Sequence, residues 1–327
     1  MATAPELVGQ SAVHCSLLER LAKFAPTDAE ILITGPTGVG KELYARYIHR
    51  QSPRARAAFV AVNCGAIPDL LLENELFGHV GGAFTGARPQ SEGLVAAAEG
   101  GTLFLDEVDT LTPPGQVKLL RLIQEKEYRR LGESRTRRSN VRFVAATNTD
   151  LQAAAQTGRF RQDLFFRLRV IPVEVPALAG RRDDIVPLVT HYTAYYAELY
   201  DLPPVALSDA SLQRLKAYAW PGNVRELENC LQYLTCLQLG QPIQPEDLPL
   251  LEPDEAPPRP DNGKLSFQKA KQELLDLFEK NYLEEALRRS KGNISEAARA
   301  SGKARRAFFE LMRKHGVRAV NSGVAHV

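Results

Sequence analysis

Eight residues dictate much of what this chain can become. Gly35-Pro-Thr-Gly-Val-Gly-Lys-Glu42 lies directly after an apolar run, ILIT at 31–34, and directly before a helical pattern. Glycines at 35, 38 and 40 let backbone N–H groups turn inward around phosphate oxygens, the helix start adds partial positive charge, and Lys41 reaches the terminal phosphates. Such a loop needs a buried strand to carry it, and further apolar runs stand ready: FVAVN (59–63), TLFLD (102–106), VRFVAAT (141–147) and VIPVEV (170–175). They are continuous rather than alternating, which predicts strands covered on both faces, hence an α/β fold with a parallel sheet.

The loop departs from the common pattern at Glu42, where Ser or Thr usually offers a hydroxyl to Mg2+, so the metal must be held chiefly elsewhere. GTLFLDE at 101–107 supplies the candidate. An apolar strand ending in two carboxylates delivers Asp106 to magnesium and Glu107 to an attacking water, at the sheet edge where nucleotides bind. VRFVAATN ends in Thr147 and Asn148, small polar groups suited either to orienting water near a γ-phosphate or to ordinary strand-end capping. In GRFRQDLFFRL (158–168), Arg161 and Arg167 read either as a solvated basic face or as guanidinium groups offered to a neighbouring subunit's nucleotide. Arg225, after WPGN, could reach the nucleotide of its own chain.

From about Ala179 the strand signal stops, and 183–200, 208–220 and 223–238 read as helices, with Ser208 and Asp209 as N-cap candidates. Glu252–Gly263 holds four prolines and no large apolar side chain, which marks a linker. A long amphipathic helix is expected over 266–289, then two short helices, 294–300 and 304–314. The predicted organisation is an α/β subdomain at 1–178, a helical lid at 179–251, the linker at 252–263 and a helical module at 264–327.

Charge separates these parts. The whole chain carries 41 Lys and Arg against 39 Asp and Glu, but residues 288–327 carry ten against two. An acidic body with a basic end suggests a polyanion bound at that end. The four cysteines form no CxxC pair, arguing against a zinc site and for reduced thiols. There is no twenty-residue apolar span and no secretory leader pattern, so the cytoplasm is the default compartment.

GAFTGA at Gly82, Ala83, Phe84, Thr85, Gly86 and Ala87 reads, taken alone, as a mobile loop tip or as a buried turn around a core phenylalanine. In company with LFGH (76–79), GGTLFLDE, QVKLLRLIQE (116–125), FRQDLFFRL and WPGNVRELEN (220–229), in that order, it gives the chain a close likeness. The sequence resembles the sigma-54-dependent transcriptional activators, the bacterial enhancer-binding proteins of the AAA+ ATPase superfamily, from Leu7 to near Val317. KGNISEAARASGKARRAFFELMRKHGV (291–317) resembles their Fis-like helix-turn-helix.

The resemblance implies a set of roles. Gly35, Pro36, Thr37, Gly38, Val39, Gly40, Lys41 and Glu42 would hold ATP, and Glu42 after the lysine is usual in the family. Asp106 would hold Mg2+ and Glu107 would be the catalytic base, held away by Asn63 until the ring is ready. Thr147 and Asn148 would be sensors, Arg161 and Arg167 arginine fingers acting in trans, and Arg225 the second sensor. Loop 82–87 would press on sigma-54 RNA polymerase. Lys303, Arg305, Arg306 and Arg313 would meet enhancer DNA, with the module paired as a dimer.

The expected function is thus a sigma-54-dependent activator whose homo-oligomeric ring, a hexamer by family likeness, uses ATP hydrolysis to convert closed promoter complexes to open ones. With no room for a sensory domain ahead of the ATPase, control in trans by a regulatory protein is expected. A DNA-binding regulator using the ATPase fold as scaffold is the alternative, but a scaffold has no need of Lys41, Asp106, Glu107 or GAFTGA. An unfoldase-type motor would lack both the loop and the helix-turn-helix.

Overall fold

The apolar runs at the centre of the sheet become strands because both of their faces find cover, while those at its edges are covered in part. The computed structural model describes residues 7–67, 69–81, 90–250, 293–300 and 305–314, with the single positions 283, 287 and 290. Five strands, β1 (Ile31–Thr34), β2 (Phe59–Asn63), β3 (Thr102–Asp106), β6 (Arg142–Thr147) and β7 (Ile171–Glu174), form one parallel sheet in the order β2-β3-β6-β1-β7. Alternate residues serve opposite layers. Ile31, Ile33, Phe104, Val144 and Ala146 pack with Leu17 and Leu21 of α1 (Ala12–Phe24) and Tyr44 and Ile48 of α2 (Lys41–Arg50). Leu32, Leu103, Leu105, Phe143 and Ala145 pack with α3 (Asp69–Phe77), α5 (Pro113–Glu125) and α7 (Gln162–Leu168) on the other side. In β1, β3 and β6 the period of two is silent because both faces are covered, whereas the edge strands β2 and β7 keep exposed positions at Ala61, Pro172 and Glu174.

The remaining elements of this layer are short: α4 (Leu94–Ala97), α6 (Leu151–Gln156) and an antiparallel hairpin of β4 (Glu127–Tyr128) with β5 (Arg137–Arg138). The hairpin has no counterpart in the sequence reading, because two-residue strands rich in arginine carry no apolar period.

After β7 the chain is helical. The lid comprises α8 (Ile185–Tyr200), α9 (Asp209–Ala217) and α10 (Asn223–Leu237). Ser208 is the N-cap of α9 and accepts from Ser211 N, whereas Asp209 is the first helical residue. Trp220 is fully buried and donates from Nε1 to Leu215 O at 2.8 Å, which locks the turn into α10.

Chain packing gives two units, Met1–Pro249 and Leu250–Val327. In the second, helices Ile294–Ala300 and Arg305–Lys314 bury Ala297, Ala298, Phe308 and Met312 together with Leu283 and Leu287. Arg313 is exposed. Arg305 and Arg306 begin the second helix, while Lys303, the linker and most of the expected helix 266–289 lie outside the described residues. Among the described residues no helix is long and apolar enough to cross a membrane, and none form a His, Cys, Asp and Glu group that could hold a metal ion alone.

The thiols divide by burial. Cys64 and Cys230 are pushed up to about 12 by burial, reinforced by the Asp106, Asp109 and Glu107 carboxylates for the first and Glu226 for the second. Cys15 and Cys236 are exposed. In mildly alkaline buffer two thiols of the native protein should react promptly with Ellman's reagent, and the other two only after denaturation.

Candidate active site

The sheet gathers the polar strand ends into a row. Parallel register sets Asn63 beside Asp106 and Thr34 beside Thr147, so the ends of four adjacent strands stand together at the carboxyl edge. From Thr34 the chain enters the glycine loop, where Gly38 and Gly40 take φ of 80° and 93°. Side chains resist that region, and here it turns successive N–H groups toward one centre. Lys41 opens α2 and is only 9% exposed, its Nζ donating to Gly35 O at 2.9 Å and Pro36 O at 3.1 Å. Burial lowers the pKa of its ammonium; Asp106 and Glu107 oppose the shift, and Arg225 adds to it. The lysine is therefore costly to hold without an anion, which is what a phosphate provides.

Glu107 follows β3 with φ 54°, a left-handed conformation for a non-glycine residue. Its N–H donates to Asp106 Oδ1 at 3.0 Å, and its carbonyl accepts from Thr110 Oγ1 at 2.7 Å. Asn63 spends Oδ1 on the N–H groups of Gly65 and Ala66, at 2.8 and 2.9 Å. Among the described residues no hydrogen bond joins its amide to Glu107. Gly65 lies so close to the carboxylate that a methyl group there would overlap Glu107 Oε2.

The two residues at the end of β6 part company. Thr147 is fully buried and donates from Oγ1 to Asp109 Oδ1 at 2.5 Å, away from the loop. Asn148 is exposed and donates from Nδ2 to Thr37 Oγ1 at 2.9 Å, so it alone of the pair touches the phosphate loop.

The lid closes the site from above. Asn223 Nδ2 donates to Thr37 O at 2.9 Å, while its Oδ1 accepts from Leu178 N at 2.9 Å. Arg225 N donates to Gly38 O at 3.2 Å, and a side chain at Gly38 would strike Gly222 O. Beneath this contact runs a buried polar network that the sequence did not announce. Arg181 donates to Tyr44 Oη at 3.0 Å and Val39 O at 3.1 Å; Tyr44 Oη meets His14 Nδ1 at 2.9 Å; and Asp184 accepts from Gln10 N, Ser11 N and Ser11 Oγ. Burial lowers the His14 pKa and raises that of Tyr44, which keeps both neutral. The cavity between loop and lid measures about 830 Å³. Thr37, Lys41, Asn63, Asp106, Glu107 and Arg225 line it, joined from α8 by His191, Tyr192 and Tyr195, which the sequence reading passed over as helix filler.

Arg161 and Arg167 do not line this cavity. Arg161 is the N-cap of α7 and pairs with Asp163 at 2.8 Å, and Arg167 is exposed on the same helix. The residues fit a magnesium nucleotide. Asp106 offers a hard carboxylate beside the loop, and Glu42 gives its Oε1 to the Arg46 guanidinium at 2.7 Å. One carboxylate together with substrate phosphates is the donor set that Mg2+ accepts. Loop 82–87 and Lys303 lie outside the described residues.

Residues 7–174 match the Sigma-54 interaction domain, 179–262 the AAA+ ATPase lid domain, and 274–314 the bacterial regulatory protein, Fis family. Transcriptional regulatory protein GlrR of Escherichia coli (strain K12) is 42% identical over 309 residues, covering 94% of this chain and 68% of its own length. Transcriptional regulatory protein ZraR of Klebsiella oxytoca is 42% identical over 303 residues, covering 93% and 67%. The crystal structure of NtrX from Brucella abortus in complex with ATP superposes with a TM-score of 0.74 at 35% identity, covering 97% of this chain and 71% of that one. This chain thus spans about two thirds of its relatives.

Replacing Asn223 by Ala removes its bonds to Thr37 O and Leu178 N, leaving Arg225 N to Gly38 O as a backbone tie between α10 and the loop. Loss of about 1–3 kcal/mol is expected, read by calorimetry as ATP binding weakened at least fivefold, with the thermal midpoint lowered.

Proposed function

Because this chain belongs to the sigma-54 activator family, as an AAA+ ATPase carrying a Fis-type helix-turn-helix, we propose that it couples ATP hydrolysis in a homo-oligomeric ring to the opening of sigma-54 promoter complexes. The carrying observation is the row of strand ends: the glycine loop, Asp106 and Glu107 share one cavity with the lid arginine Arg225. A DNA-binding protein that used the fold only as scaffold would have no use for this cavity.

In this reading the glycine loop and Lys41 bind the phosphates. Asp106 would hold magnesium, which when bound would neutralise charge on the phosphate oxygens. Water attacks the γ-phosphorus as its bond to the ADP oxygen breaks, and Glu107 Oε takes the proton that the water loses. Asn148, already bonded to Thr37, orients the water, while Thr147 acts indirectly by fixing Asp109. Asn63 holds the turn beneath Glu107 through Gly65 and Ala66, and engages Glu107 only when that turn moves. Arg161 and Arg167, exposed on α7 and absent from the lining of their own cavity, serve the site of the next subunit.

Loop 82–87 is the element that would grip sigma-54. Its stem is tied down on both sides. His79 and Ser91 exchange N–H···O bonds of 3.0 Å, and Val80 N donates to Leu131 O at 3.1 Å. The helix-turn-helix holds enhancer DNA through Lys303, Arg305, Arg306 and Arg313.

Gly65→Ala and Glu107→Gln should behave alike. Each should retain ATP binding while turnover falls, by about a hundredfold for the displaced carboxylate and about 10²–10⁴-fold for the removed base, measured as phosphate release. Normal turnover in Glu107→Gln would remove that residue from its role. Thr85→Ala should keep hydrolysing ATP yet form no open complexes in transcription with sigma-54 polymerase. Undiminished transcription would sink the assignment of the loop.

A further inference from the structure

The β4–β5 hairpin is not used by any step above, yet its charge is strongly one-sided. Between Glu127 and Asn140 it carries five arginines, no lysine and two glutamates. Strand alternation sorts them. Tyr128 and Arg130 face inward and are buried, whereas Arg129 and Arg138 share the outward face. Arg130 pairs with Glu92 and with Glu133, and Arg137 takes Glu133 at 3.0 Å. The two acids nearest the turn are thereby consumed. Glu127 reaches Arg138 only at 3.8 Å, and that arginine side chain is 93% exposed. Arg129 donates from Nε to Thr136 Oγ1 at 3.0 Å, and Arg135 is exposed at the tip.

We propose that this hairpin is a second nucleic-acid contact, in which Arg129, Arg135 and Arg138 grip the phosphate backbone of duplex DNA. Planar guanidinium forks match phosphate oxygens in pairs, and the exposed hydroxyls of Ser134 and Thr136 add donors of the kind that position proteins on a backbone. A protein partner is disfavoured because the segment exposes no aromatic or large apolar anchor: Tyr128 is buried and Leu131 packs on the core. The contact is joined mechanically to the loop stem, since Leu131 N donates to Gly78 O at 2.9 Å and its carbonyl accepts from Val80 N. DNA held here would sit beside the segment that the ATPase moves. The inference rests on the reading of the chain as a DNA-tethered ATPase, and its test separates the two.

The full chain carrying Arg129→Gln, Arg135→Gln and Arg138→Gln should hydrolyse ATP as the parent does. Its binding to a fluorescein-labelled duplex of scrambled sequence should weaken at least tenfold at low salt. The slope of log K against log salt should become shallower by roughly 2.7, the value for three lost phosphate contacts. Unchanged affinity and slope would overturn the proposal. So would a photo-crosslinker placed at Ser134 that labels sigma-54 and never the duplex in their joint presence, because that outcome assigns the hairpin to an acidic protein surface. Arg306→Ala with Arg313→Ala serves as the companion variant. If it binds DNA like the parent while the hairpin variant does not, the helix-turn-helix tether fails and the hairpin contact stands.

Discussion

One side-chain amide joins the two halves of the ATPase. Asn223 donates to the phosphate loop at Thr37 O and accepts from Leu178 N at the entry to the lid. It can do so because it sits at φ 54°, a region that asparagine tolerates better than most residues. Every other feature of the cavity presupposes this joint. Two residues on, in the same first turn of α10, Arg225 N reaches Gly38 O, and His191, Tyr192 and Tyr195 of α8 line the cavity with Lys41. The Arg181, Tyr44, His14 and Asp184 network supports the joint from below, with most of its polar groups satisfied inside the protein. Losing one member would strand the others without water.

Much of the fold was legible because its main signal is blunt. A strand buried on both faces writes itself as a run of apolar residues, as β1, β3 and β6 do, and the half-covered edge strands β2 and β7 are still apolar enough to stand out. The glycine loop, Asp106 and Glu107 were legible for a related reason: each terminates such a run, so finding the strand locates the residue. What failed to register was polar. The hairpin at 127–138 has strands of two residues and an inward face built from arginine as well as tyrosine. Arg181 and Asp184 lie in short turns where charged residues ordinarily face water. Their burial follows from where α1 and α2 meet the lid, which no local pattern contains. Thr147 and Asn148 are adjacent and chemically similar in the sequence, yet the pleat sends one into the protein and the other to the loop.

The geometry also shows how a change at the nucleotide could travel. Asn63 ends β2 and Asp106 ends β3 in register, and the turn after β2 carries Gly65 against the Glu107 carboxylate. That turn leads into α3, whose end at Phe77 passes directly to the stem residues Gly78 and His79. The stem in turn is bonded to the hairpin that returns to β6 and Asn148. Only short, hydrogen-bonded segments separate the carboxylate from the loop stem, so small displacements need not be lost in slack chain.

Glu107 holds its carboxylate on a backbone that an L-residue adopts reluctantly, at a cost of about 1–2 kcal/mol. Thr110 fixes its carbonyl and Asp106 fixes its N–H, so the strain is stored rather than relaxed. The main chain thereby fixes the direction in which the side chain leaves the backbone. A modest rotation of one peptide plane here would swing the carboxylate through an arc, so the turn held by Asp106 and Thr110 also sets where that acid stands.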